Sequence, residues 1–577
     1  MRHAFVARAS GVARPISSAC SVGLLCSIAV FLSISVFLVS ASGCGRPAGD
    51  GGGSSASPQV VPRPVARVSR DKILESALAV LDRLDDFDEA RGAELIFDRI
   101  NQWARLAPTD AVAAWRQDPL ADTLSARLRD ELTEIVPDAN GFSMGDVVFL
   151  RDQRWLADIA RVARGEARDD LEVALALFEW TVRSLALVGD PPTAPTATNP
   201  GTRWCLPGEI LLAGRASGPQ RAWIFLQLMR HAGLDGVMLG LGGGAEQAPR
   251  SWLPAVLAEG ELHLFEPVYG MPVPGPDGGA VATLRQAATD PAILAALSLP
   301  DRPYPVQAAD LTAVTVLVAA DPLSLSRRMV VLDPDVRGAR EMRVAVDGSR
   351  LAAAANAAVE ASGVTPAAPA LWEFPWETLA RRRSEATRVA AAVQQELAPL
   401  QVPFVPQAGS DRPELLRPLL TARLREFRGE LDGPQGAKAA YLAARAGRSA
   451  VASAVAGLPA AQAEAARTLF TRMKEDAAYW LGILTLAEGE YDAAIDYLGR
   501  MTVEGSPDSR WTDAARTNLA RALIAVGRTR EAAAALREDL SPQRFGSRVL
   551  ADRLERAVDA EKPVVEPGTT APSVPNE

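Results

Sequence analysis

Residues 214–241 read GRASGPQRAWIFLQLMRHAGLDGVMLGL, and residues 250–270 read RSWLPAVLAEGELHLFEPVYG. The first stretch predicts a helix that follows a glycine-containing loop and is apolar on nearly all sides, as in a helix buried in a core. Gly233 followed by Leu234 favours a left-handed C-cap with an apolar residue just beyond it. Together the two stretches predict one central helix and the strands that pack beside it.

The strands are predicted from short apolar runs. Residues 237–239 indicate a buried strand, and residues 252–258 and 261–266 indicate a hairpin that turns at 259–260. Proline has no N–H to donate, so Pro254 places the first hairpin strand at an edge or at a bulge.

This order of loop, helix and strands resembles the core of the transglutaminase-like (papain-like) superfamily, whose motifs read G-x-C-R-x-x-A, H-x-W and D-P-x-x-G. Over about residues 169–275 the resemblance assigns the family's cysteine to Gln220, its histidine to Arg250 and its aspartate to Glu266. Glutamine is not a nucleophile and arginine stays protonated, so the thiolate–imidazole pair of that chemistry is absent. The resemblance therefore implies an α+β core at 166–365 that has the fold without the reaction.

Each of these three positions also has a structural interpretation. Gln220 either braces the start of the helix or donates to a ligand in the former active-site groove. Arg250 and Glu266 either form an ion pair on adjacent strands or leave Arg250 in solvent.

A different thiol supports the alternative of an enzyme. Cys205 lies 15 residues before Gln220, and His263 is its candidate base. Strand alternation turns His263 to the side of Phe265, away from Glu266, so no carboxylate orients it. His231 is expected at the polar end of the central helix, facing away from a core. The simpler interpretation of Cys205 is a small apolar core residue.

Composition limits the classes of partner and of site. The net charge is −9, which argues against a nucleic-acid partner because such proteins present a basic face. Four cysteines and three histidines offer no metal-ligand cluster, and Cys205 has no second thiol near it in the folded part. The sequence predicts neither a metal nor a cofactor.

The N-terminus has the features of a membrane-targeting segment. Three arginines precede an apolar run at 24–39, and the run ends in VSASGC at Cys44, which resembles a bacterial lipobox. The sequence predicts either lipidation at Cys44 or an uncleaved transmembrane helix within 1–44, with the bulk of the chain extracytoplasmic in both cases. Residues 45–68 have linker composition.

Helical periodicity dominates the region before the core. Apolar stripes over 71–84, 93–106 and about 120–135 predict a helical lead-in at 69–165. A further helix starts at 168–170 and is expected to pack against the central helix.

The rest of the α/β region is less regular. Residues 284–297 predict a helix that breaks at Pro291, and residues 324–332 predict another. Strands are predicted at 312–318 and 341–346.

The C-terminal region, residues 366–562, is predicted to be all-helical. Two segments within about 474–540 resemble tetratricopeptide repeats, which are paired helices of about 34 residues. A partial earlier copy is indicated at 437–444, a plain alanine-rich bundle is the alternative, and residues 563–577 have the composition of a disordered tail. The residues that carry the resemblance are Leu481, Gly482, Tyr491, Ala494, Leu519 and Ala532.

These features predict a non-catalytic, membrane-tethered binding or scaffold protein of the cell envelope. Its helical repeats would take a protein or peptide partner. The alternatives are a cysteine-dependent amidase or peptidase that uses Cys205, and a purely structural envelope protein without a specific ligand.

Overall fold

The computed structural model describes residues 69–84, 89–106, 114–132, 141–189, 205–242, 248–276, 278–403 and 417–560. The predicted signal or anchor with Cys44, the linker at 45–68 and the tail from 563 lie outside the described residues. Contacts between Cα atoms divide the chain before Val68, and the fold described below belongs to the unit that begins there.

Helices make up most of the described chain. In chain order they are α1 Arg70–Asp82, α2 Glu89–Ala104, α3 Ala126–Leu132, α4 Met144–Arg164, α5 Asp170–Ser184, α6 Pro207–Ala213, α7 Gly218–Ala232, α8 Leu284–Thr289, α9 Pro291–Ala295, α10 Arg327–Arg340, α11 Gly348–Ala361, α12 Glu373–Ser384, α13 Ala386–Leu397, α14 Pro418–Arg428, α15 Ala437–Ala444, α16 Arg448–Ala454, α17 Ala460–Ala487, α18 Tyr491–Ile495, α19 Thr512–Ala525, α20 Thr529–Arg537 and α21 Arg544–Ala560.

The strands form a small two-stranded sheet and a larger mixed sheet. They are β1 Ala186–Leu187, β2 Arg215–Ala216, β3 Asp235–Leu241, β4 Arg250–Ala258, β5 Glu261–Glu266, β6 Met271–Pro272, β7 Ala313–Val318, β8 Thr365–Pro366 and β9 Ala370–Leu371. β1 and β2 pair in parallel. The larger sheet runs β6-β5-β4-β3-β7-β8, and β9 also pairs with β7. Neighbours from β6 to β7 are antiparallel, whereas β8 and β9 are parallel to β7.

Alternating side chains let both faces of the sheet be buried. One face, with Met238, Val256 and Phe265, belongs to the same apolar cluster as α7. The opposite face, with Leu239 and Leu264, packs in a second cluster that includes residues of α11. α7 therefore lies on one side of the sheet, and this side is called the α7 face below.

The predicted hairpin of β4 and β5 is confirmed. Glu259 and Gly260 both have positive φ, the backbone form that a two-residue hairpin turn requires. Pro254 does not lie at an edge, because β4 has β3 and β5 on its two sides. The pairing of β3 with β4 instead shifts by one residue between Met238 and Gly240, so the alternative of a bulge is the correct one.

The predicted strand at 341–346 is wrong. The N–H groups of Val344 and Ala345 donate to the Asp333 carboxylate at 2.7 and 3.0 Å, and that of Val346 donates to the carbonyl of Ser324. The backbone N–H groups of this segment donate to a side chain and to a carbonyl outside the sheet. The segment therefore does not pair with another strand, despite its strand-like composition. The sheet is completed by β8 and β9, which were not predicted.

Three helices outside the C-terminal region were also missed, and one of them is α11 Gly348–Ala361. α4 is the 21-residue helix Met144–Arg164, which begins with the Ser143–Asp146 capping box and packs along α7. α6 lies where no element was predicted, with Pro207 at its first position. The predicted contact between α5 and α7 is present: Phe178, Phe225 and Phe265 meet with ring centroids 5.0–5.2 Å apart.

The C-terminal helices form successive antiparallel hairpins. α14 packs on α15, α17 packs on α18 and on the π-helical turns Asp496–Glu504 that continue it, and α19 packs on α20. The coarser prediction of a mixed α+β chain is confirmed, but the region 366–562 is not all-helical, because β9 Ala370–Leu371 lies inside it and pairs with β7. In the part of the chain that the structure covers, none of the helices combines the length and apolarity needed to cross a membrane.

Candidate functional site

Gln220, to which the resemblance assigned a cysteine position, braces the start of α7. Its Oε1 accepts from the backbone N–H of Ser217 at 2.9 Å, and the side chain is 2% exposed. Glutamine three residues after the N-cap satisfies one of the N–H groups that a helix start leaves open. The bracing interpretation of Gln220 matches this contact.

Arg221, the next residue, is a fully buried guanidinium that sequence reasoning did not single out. Its bonding partners are all uncharged oxygens, and they are the carbonyls of Val182, Leu185 and Pro267 and the side chain of Gln543. Burial lowers the pKa of Arg221 to about 9, so the group stays protonated at neutral pH. The arginine of the G-x-C-R pattern was the signal that could have drawn attention to it.

The three positions that the resemblance assigned to a catalytic triad do not lie on the same side of the sheet. Glu266 shares its face with Leu264, which is opposite the α7 face. Arg250 pairs with Leu241, and directly paired residues lie on one face, so Arg250 is also turned away from α7. Gln220 opens α7 itself, and the structure does not bring the three positions together.

Glu266 is satisfied by neighbours on its own face. Its carboxylate accepts from the Tyr304 hydroxyl and, at 2.9 Å, from the N–H of Val268. Burial raises the pKa of Glu266 despite these hydrogen bonds. Arg250 is exposed, and no ion pair joins it to Glu266 within the described residues, so of the two predicted arrangements the arginine in solvent is the one present.

His231 is not at a polar, outward-facing end of α7 as predicted. It is 8% exposed, its Nδ1 accepts from the N–H of Arg343 at 3.2 Å, and its Nε2 lies 3.1 Å from Oε1 of Gln153. These partners require a neutral ring with the proton on Nε2. Burial, with help from Arg230 and Arg343, holds the pKa of His231 well below its usual value. The ring is therefore committed to structure, because α4 and the segment after α10 cover it.

Cys205 precedes helix α6, and His263 lies on strand β5. Cys205 is half-buried beside the apolar cluster of the α7 face, and the helix after it, α6, packs against α4 and α13. His263 pairs with Val256 on β4 and bridges Thr283. Its Nδ1 is buried without a hydrogen-bond partner among the described residues, so no carboxylate there orients the ring as a Cys–His pair requires.

A polar cleft of about 310 Å³ opens beside Arg221. Its walls are the segment 186–189, helix α19 and the segment 540–543, and three arginines line it: Arg215, Arg221 and Arg510. Arg215 pairs with Glu396 at 2.9 Å, and Arg510 pairs with Asp476 at 2.6 Å. The volume is at the lower end of that of ligand pockets. Only the tertiary structure reveals this cleft, because its walls are more than 300 residues apart in sequence.

The described residues contain no group of His, Cys, Asp and Glu side chains that could hold a metal ion. None of the protein-family models, curated proteins or solved structures with which the chain was compared matches it.

Proposed function

We propose that the protein is a non-catalytic binding or scaffold protein, tethered to a membrane by its N-terminal segment, with its folded part on the extracytoplasmic side. Its core would be a transglutaminase-like fold that has lost its chemistry, followed by tetratricopeptide-like helical hairpins. No cofactor is part of this proposal.

The arrangement of Gln220, Arg250 and Glu266 carries the proposal. Covalent amide chemistry needs a nucleophile within hydrogen-bond reach of a base, and that base oriented by a third group. Here the first position braces a helix, and the other two lie on the opposite side of the sheet. These three residues therefore cannot form a pair in which a base takes the proton of a nucleophile.

The first experiment tests for turnover. The full chain in detergent is incubated with glutaminyl peptides and a primary amine, and released ammonia and amine incorporation are followed. We expect rates equal to those without protein, in the wild type and in Cys205→Ser alike. Turnover in the wild type that disappears in Cys205→Ser would establish the enzyme and remove the proposal.

The second experiment tests the tether. We expect the wild-type chain in the membrane fraction and a change in processing or lipid labelling in Cys44→Ala, with Cys26→Ala as the matched control. A lipidated chain loses its label in the first variant only, whereas a chain anchored by an uncleaved helix stays in the membrane in both. Release of the wild-type protein in soluble form would contradict the tether.

A further inference from the structure

The cleft beside Arg221 has an excess of positive charge at its inner wall. Arg221 has five hydrogen bonds and none of them goes to a carboxylate. Asp539 is the acid whose charge acts on it, but that carboxylate already accepts from the Ser541 N–H and the Ser547 hydroxyl. A buried charge without a bonded counter-ion favours an anion in the space beside it.

Arg215 adds a second positive charge to the lining of the cleft. Its Nη1 is held by Glu396, while its Nε is buried and has no hydrogen-bond partner in the described part of the chain. The acid that lines the cleft, Asp513, is occupied by Arg516 at 3.0 Å. Arg221 uses all five of its N–H groups on protein oxygens, so it offers an anion in the cleft its positive charge and no free donor.

A strand edge lies along the same cleft. Beside the β1–β2 pair the N–H groups of Ala186 and Val188 donate to the carbonyls of Gly214 and Ala216, at 2.8 and 2.9 Å. Alternation along a strand turns the N–H and C=O of the residue between them, Leu187, to the other side. Leu187 lines the cleft, so a short extended chain can add to this edge by main-chain hydrogen bonds.

We propose that the cleft between β1 and α19 binds the free C-terminal end of an extended peptide, with the terminal carboxylate toward Arg215 and Arg221. The edge of β1 recognises the backbone, and Thr517 and Asn518 of α19 form the opposite wall. A volume of about 310 Å³ accommodates only the last residues of such a chain. This proposal rests on the proposed function and names the class of partner.

The test begins with the full chain in detergent and random hexapeptides displayed with a free C-terminus. Enriched peptides are synthesised with a terminal carboxylate or a terminal amide, and their affinities are measured by fluorescence anisotropy. We expect amidation to weaken binding by at least about tenfold, because it removes the charge-assisted hydrogen bonds.

A matched pair of variants locates the site. Thr517→Glu places a negative charge on the cleft wall, and Thr517→Gln places a side chain of the same size without charge; both lose the same hydrogen bond to the Ala514 carbonyl. Binding should fall at least about tenfold in Thr517→Glu relative to Thr517→Gln.

Three results would overturn the proposal: no enriched peptide, equal binding of the amide, or equal binding by the two Thr517 variants. Inorganic phosphate that raises the melting temperature while no peptide binds would show a small-anion site instead, which also overturns it. Amide turnover in the earlier assay, by contrast, would remove the proposed function while leaving a positive peptide result standing.

Discussion

At the scale of single residues, three polar groups that the sequence analysis weighed for a role in chemistry are bonded within the fold. Gln220 and Glu266 each accept backbone hydrogen bonds in buried positions, and His231 joins α7 to two other segments. Such contacts are costly to remove because a buried donor left without an acceptor keeps its full desolvation penalty.

Gln220→Ala should therefore lower the free energy of unfolding by about 1–2 kcal/mol, since it leaves the Ser217 N–H without its acceptor. Gln220→Glu is the control, because it keeps an acceptor oxygen at the same helix position. Urea unfolding at neutral pH measures both. An alanine variant as stable as the wild type would mean that this hydrogen bond does not brace the helix.

The buried ring of His231 predicts that the stability of the fold depends on pH. Burial lowers its pKa in the folded state, with repulsion from Arg230, Arg343 and Arg154 acting in the same direction. As the pH falls, the unfolded chain takes up a proton on His231 more readily than the folded chain does. The contribution of His231 to the free energy of unfolding is therefore present above about pH 6.5 and is lost as the pH falls below it.

The variant His231→Gln cannot titrate and should lose less stability than the wild type between about pH 7.5 and 5, as measured by urea unfolding at several pH values. Its stability at the upper pH gives the cost of the substitution itself. Parallel pH profiles for the two proteins would show that the ring does not resist protonation.

At the scale of elements, small residues set how closely the C-terminal helices approach. Ala494 and Ala532 are fully buried between neighbouring helices. A Cβ added at Gly482 would lie 2.7 Å from Leu498, which is itself buried, whereas one added at Gly499 would lie 3.5 Å from Leu519. The first contact is too short to accept a methyl group, and the second is an ordinary one.

Gly482→Ala should therefore destabilise the protein by about 1–3 kcal/mol through overpacking. Gly499→Ala is the matched control in the same hairpin and should be neutral or slightly stabilising. Thermal unfolding followed by circular dichroism distinguishes them. Equal melting temperatures for the two variants would show that Gly482 is not at a close contact with Leu498.

At the scale of the whole molecule, the C-terminal helices and the α/β region share one core. Trp480 of α17 packs where a Cβ on Gly214 would lie, and Arg423 of α14 stacks 3.5 Å from that indole while its Nη2 donates to the Leu211 carbonyl. Arg221 reaches Gln543 just before α21. The helical region therefore belongs to the same folding unit as the sheet.

Gly546 of α21 lies directly against the α/β region, because a Cβ there would collide with the backbone of Tyr269. Gly546→Ala should lower stability by at least about 2 kcal/mol, since backbone cannot move aside as a side chain can. Gly338→Ala, on a helix with nothing near its Cβ, is the control and should not destabilise. If α21 were an independent appendage, Gly546→Ala would leave the unfolding of the rest unchanged.

The sequence by itself determined the elements whose signals are local. The apolar periodicity of α7, its C-cap at Gly233 and the turn at Glu259 and Gly260 were all predictable because each depends on a few neighbouring residues. The tertiary structure alone decided which face of the sheet Arg250 occupies. A one-residue bulge beside Pro254 turns the β4 residues on its N-terminal side to the opposite face of the sheet. The position of such a shift in strand pairing cannot be predicted from a local sequence pattern. The arginine-lined cleft depends on the packing of α19 and the segment 540–543 against β1. These segments are far apart in the sequence, so no single stretch of the chain predicts the cleft.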